Sequence, residues 1–111
     1  MGVSYSAVLA VGREFDEKYD VEQFVREYLT LSEEDEAYIE DEGISEFLYS
    51  KEDWPTCECL DLYHGDPYYI GFKLNPRDAE RFAENVADAI EKWNQMFPNH
   101  PAEIIHTVRI S

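Results

Sequence analysis

The sequence predicts an α+β fold: an antiparallel sheet covered on one face by two main helices. Three observations predict it. Segments rich in β-branched and aromatic side chains alternate with segments whose apolar residues recur at helical spacing. They follow one another as strand, helix, strand, strand, helix, strand. With 111 residues, 44% hydrophobic and 14% aromatic, the chain has apolar material for one core and reads as a single domain over 1–111 rather than as a disordered acidic tail.

The first strand is read over 3–15 (VSYSAVLAVGREF), where Tyr5, Ala7, Leu9 and Val11 share a parity and make at least one face apolar. Asp20 and Gln23 have the spacing of a capping box. Val21, Phe24, Val25, Tyr28 and Leu29 then recur as one side of an amphipathic helix. Residues 32–53 (SEEDEAYIEDEGISEFLYSKED) read as an acidic helical insertion after that helix. Ser32 caps it, and Glu33, Glu34, Asp35 and Glu36 occupy a first turn where carboxylates suit the positive end of the helix dipole. Gly43 terminates it, and Ile44, Phe47 and Leu48 mark a second short turn of helix. Tyr38, Ile39, Phe47, Leu48 and Trp54 are the anchors that distinguish this segment from a linker.

Residues 57–63 and 68–74 flank His64-Gly65-Asp66-Pro67 and read as a hairpin. Pairing His64 with Tyr68 groups Leu60, Leu62, Ile70, Phe72 and Leu74 on the core face, around a three-residue loop. Cys57, Cys59, Asp61, Tyr63, Tyr69 and Lys73 then fall on the open face. Asn75-Pro76 predicts the start of the next helix, with Phe82, Val86, Ile90, Trp93 and Phe97 as its buried stripe and Pro98 and Pro101 as its stop. Residues 103–110 (EIIHTVRI) are the last strand, with Ile104, Val108 and Ile110 inward and Thr107 and Arg109 outward. His106 alternates with the inward residues and reads as a hydrogen-bonded core histidine. With right-handed crossovers, this β-α-β-β-α-β order most economically builds the ferredoxin-like arrangement, which hosts many unrelated functions.

Charge narrows the function. Twenty-five acidic residues stand against nine basic ones, for a net charge of −16. Phosphates and anionic bilayers would be repelled, so direct nucleic-acid or membrane binding is not expected. No run approaches the ~18 apolar residues of a membrane span. No basic region precedes Val8–Val11, so that stretch is not a signal-peptide core. Gly2 and Ser6 fit a loose myristoylation pattern, but an acidic chain without a polybasic patch is poorly suited to stable anchoring. Two cysteines make no disulfide framework, and a reducing cytoplasm is the simplest expectation.

Ten of the 25 acids lie between residues 33 and 53. Glu33, Glu34, Asp35, Glu36, Glu40, Asp41 and Glu42 are candidate phosphate surrogates, with Tyr38 as an apolar contact. Such a surface suits the basic groove of a nucleic-acid-binding protein, and the attraction would speed association. The same acidity also serves solubility or high salt. The segment is not a calcium loop, because placing Gly43 sixth puts Tyr38 where the first carboxylate belongs. Cys57, Cys59 and His64 could approach one soft metal, but a zinc site wants a fourth ligand; they read as ordinary residues, and no metal or cofactor is expected. His64, His100 and His106 are scattered, and no phosphate loop or nucleophile elbow is present, so an enzyme is not expected.

The expected function is that of a small cytoplasmic binding protein. It would inhibit a nuclease, polymerase or host-defence effector by mimicking nucleic acid. In size and charge the chain is similar to compact acidic anti-restriction and anti-CRISPR proteins of phages. The alternative is an adaptor or homodimer that uses the open sheet face through Tyr63, Tyr69, Cys59 and Arg109.

Overall fold

The structure is a computed structural model that describes residues 4–110; Gly2 of the myristoylation pattern and Val3 of the first predicted strand lie outside the described residues. The elements are β1 (Tyr5–Phe15), α1 (Lys18–Tyr28), α2 (Glu33–Glu42), α3 (Ile44–Tyr49), β2 (Thr56–Cys59), β3 (Tyr68–Lys73), α4 (Phe82–Met96) and β4 (Glu103–Ile110). The strands form one antiparallel sheet in the order β2-β3-β1-β4. The result is a mixed α+β domain with four strands and four helices.

All four helices pack on one face. Val11 and Phe15 of β1, Cys57 of β2 and Ile70 of β3 meet Val21, Phe24 and Val25 of α1, Ile39 of α2, Ile44, Phe47 and Leu48 of α3, and Ala89 and Trp93 of α4. The aromatic residues interlock: Phe24 touches Phe15, Trp93 and Phe97 at ring centroids 5.2, 5.9 and 4.9 Å apart. The Trp93 Nε1–H, which burial would otherwise orphan, donates to the His100 carbonyl at 2.7 Å.

The other face is also filled. Gly12 and Gly71 oppose each other across β1 and β3. A Cβ on Gly71 would lie 2.9 Å from the Val11 carbonyl oxygen, and one on Gly12 would fall on the Ile70 carbonyl. Only glycine permits that approach. On this face Val8, Ala10, Leu60, Tyr69 and Ile105 form a second buried cluster. The chain leaving β2 reaches the far edge of the sheet, where Leu62 N–H donates to the Ile110 carbonyl at 3.1 Å and Ile110 N–H donates to the Leu60 carbonyl at 2.8 Å. The sheet is therefore curved enough for its two edges to meet.

Several expectations are corrected here. The hairpin pairs Cys59, not His64, with Tyr68. Residues 60–67 are a long connection, and Leu60 lies with Tyr69 on the face away from the helices. Cys57 belongs to the helix-side core, and Cys59, two residues along the same strand, shares its side. In β4 the buried residue is Ile105, while Ile104, His106 and Val108 are exposed. Their strand lies beyond the helix layer, because α4 packs over β1. Asn75 does not cap a helix: its Oδ1 accepts from Arg77 N–H in a turn, and α4 starts only at Phe82. Likewise α1 begins at Lys18 behind Glu17, which makes no side-chain cap, so Asp20 sits within its first turn.

Candidate interaction surfaces

Helix α2 is held from both ends and from beneath. Ser32 Oγ accepts from Asp35 N–H at 3.1 Å, and the Asp35 carboxylate accepts from Ser32 N–H at 3.0 Å, completing a capping box. Gly43, at φ +97°, ends the helix and starts α3. Ile39 is its one buried residue. Arg26 of α1 grips Glu36 with two hydrogen bonds, at 3.1 and 2.8 Å. Each partner stabilises the other's charge: the bond to Arg26 holds Glu36 below the usual carboxylate range, and the Ser32 N–H does the same for Asp35.

The expected acidic residues thus divide by task. Asp35 and Glu36 serve the helix itself. Glu33, Glu34, Glu40, Asp41 and Glu42 are exposed and make no ion pair among the described residues. Glu33 and Glu40 are seven residues apart, as are Glu34 and Asp41, so they form two stripes with about 10 Å between successive carboxylates. Tyr38 is 42% exposed and leans on Phe47 at 6.3 Å. On the α1 side, Lys18 and Arg26 line the seam with Glu36 and Glu40, so the unpaired acids dominate only away from that seam.

The alternative face is not open. Tyr69 is fully buried, and its hydroxyl has no hydrogen-bond partner among the described residues. Burial, then the nearby Glu58 carboxylate, pushes its pKa up. Arg109 Nε–H donates to the Cys59 carbonyl at 3.2 Å, and the guanidinium lies 3.9 Å from Glu58, which also pairs with Lys73. Tyr63 stays exposed in the connection. Tyr63, Tyr69, Cys59 and Arg109 therefore do not combine into one binding face; Arg109 and Cys59 instead tie the two sheet edges together. Sequence reading puts Lys73 and Arg109 on this face but misses Glu58, which the expected hairpin register turns the other way and which sheet curvature brings to them.

The metal candidates also separate. Burial pushes the Cys57 thiol up to about 12, so it stays protonated at neutral pH. His64 is in the connection, with Nδ1 2.6 Å from the Asp61 carboxylate. That bond, with two backbone N–H groups, holds the Asp61 pKa down. Among the described residues, no three His, Cys, Asp or Glu side chains converge as a metal site.

A second constellation escaped the sequence reading. Arg13, Glu27 and His100 line a groove of about 680 Å³ beside the end of β1. A guanidinium can only donate, so His100 Nδ1 accepts from Arg13 and its Nε2–H donates to Glu27 at 3.3 Å. The ring packs edge-on against Phe24. Both imidazole nitrogens are occupied, so this histidine works as a strut joining the segment after α4 to β1 and α1. No helix among the described residues is long and apolar enough to cross a membrane. Comparison of the chain with protein-family models, with curated proteins and with solved structures finds no match.

Proposed function

We propose that the protein is a small acidic binding protein whose α2 surface occupies the basic nucleic-acid site of a nuclease, polymerase or host-defence effector and inhibits it. The observation that carries this reading is the set of five unpaired carboxylates, Glu33, Glu34, Glu40, Asp41 and Glu42, on a helix fixed by a capping box, a buried Ile39 and the Arg26 clamp. Fixed charges lose little conformational freedom on binding. A one-signed patch also accelerates encounter with an opposite one. Tyr38 would add an apolar contact at the patch centre. The ferredoxin-like reading of the scaffold is supported by the strand order β2-β3-β1-β4 and by helices on one face only. Two buried free thiols suit a reducing cytoplasm.

The test is competition. A panel of basic nucleases and polymerases is assayed for displacement of duplex DNA or RNA by the protein, at rising salt. Displacement should weaken steeply with salt. Replacing Glu33, Glu34, Glu40 and Asp41 by lysine, which spares the cap and clamp, should cost about a hundredfold or more in affinity for the inhibited partner. A lysine variant that competes as well as the parent would refute the reading.

A further inference from the structure

We propose that the cavity on the sheet face away from the helices is a binding site for a small monocarboxylate, held by Arg109 and Lys73. The cavity measures about 270 Å³, and its charged lining is Glu58 of β2, Lys73 of β3 and Arg109 of β4, set over Ser6 and Val8 of β1. Strand register puts these side chains on one face. Ser6 pairs with Arg109 and Glu58 with Tyr69, and Lys73 shares the parity of Tyr69. Val8 and Tyr69 belong to the apolar cluster that fills the middle of this face. The cavity continues where that packing ends.

The lining is positive and short of acceptors. Two cations face one carboxylate, in a chain of net charge −16. Glu58 divides its oxygens between them: Oε1 pairs with Lys73, and Oε2 lies 3.9 Å from Arg109 Nε. That same nitrogen donates to the Cys59 carbonyl. These contacts hold the guanidinium through Nε, and its two terminal nitrogens bond to nothing among the described residues. A fixed fork of this kind matches the two oxygens of a carboxylate. Lys73 keeps two further N–H donors for the same ligand. The Tyr69 hydroxyl, opposite Glu58, also lacks a partner among the described residues, so acceptors are scarce around the cavity. One surplus positive charge suits a monoanion, whereas a phosphate dianion would leave net negative charge beside Glu58. The 270 Å³ takes about nine water-sized groups of ~30 Å³, enough for a carboxylic acid of a few carbons.

The site uses none of the α2 acids and stands independently of their role. Titration with sodium acetate, followed by NMR against sodium chloride at the same ionic strength, tests it. Acetate should shift the Arg109 Nε–H and Ser6 amide resonances saturably, with a Kd of about 10 mM or tighter, and leave α2 unmoved. Lys73→Gln should weaken binding about tenfold, and Glu58→Gln, which removes the competing carboxylate, should strengthen it about tenfold. Both side chains reach solvent, so neither substitution empties the core. Phosphate should bind more weakly than acetate. The proposal is overturned by shifts that do not saturate below about 100 mM acetate, or by chloride producing the same shifts. Phosphate binding more tightly than acetate also overturns it, as does a Glu58→Gln variant whose affinity is unchanged or lower.

Discussion

The two faces of the sheet are both buried, yet they are filled by different means. On the helix side, four helices contribute large side chains, and Trp93, Phe24 and Phe97 interlock around Val11 and Ile70. On the other side the residues are mostly smaller, the strands touch at Gly12 and Gly71, and the cover is the chain after β2 reaching across to Ile110. The first face depends on amphipathic helices that carry their own pattern. The second depends on curvature, which brings Leu60, Ile105 and Tyr69 together from across the sheet. One face is a packing problem, and the other is a backbone problem.

The sharpest way to break this contrast is at the backbone. Gly12→Ala places a methyl on the Ile70 carbonyl, and the neighbouring strand must move away. A loss of about 4 kcal/mol or more is expected in chemical denaturation. An alanine variant of wild-type stability would show that the strands do not need their close approach.

Next come truncations on the two faces. Trp93→Ala should cost about 3–5 kcal/mol, and Leu60→Ala about 2 kcal/mol, because the connection can settle partly into the space. The distinguishing measurement is amide exchange at Ile110. Leu60→Ala should raise exchange there selectively, since that N–H donates to Leu60 itself. Uniform change across the sheet would mean that the crossing is not a separate unit.

The smallest effect is expected at Tyr69→Phe. The hydroxyl is buried without a partner among the described residues, so its removal should be neutral or stabilise by up to about 1 kcal/mol. A marked loss of stability would mean that the hydroxyl has a partner in solution, with Glu58 the nearest candidate.

The legible parts of the molecule are those whose cause is local. Ser32 and Asp35 cap α2 across three residues, Gly43 ends it with a positive φ, and Ile44, Phe47 and Leu48 bury on helical spacing. Each is a relation between neighbours in the chain. The acidic surface was legible for the same reason, down to the exposed Glu33, Glu34, Glu40, Asp41 and Glu42. What it could not reveal was that Asp35 and Glu36 are already engaged, because Arg26 comes from a different helix.

Strand orientation was not legible, because parity identifies an inner face only when the other face is wet. That rule groups Leu60 and Ile70 together, although they lie on opposite faces that are both buried. Ile104 and Ile105 are adjacent and equally apolar, and burial of one rather than the other follows from α4 lying over β1 and from the curvature that covers Ile105. His106 looks like a core residue in the sequence and becomes an edge residue for the same reason. Local order comes from contacts within a few residues, which the sequence states directly. Which face of a strand is covered, and which edge stays open, depends on where distant segments come to rest, and only their packing decides that.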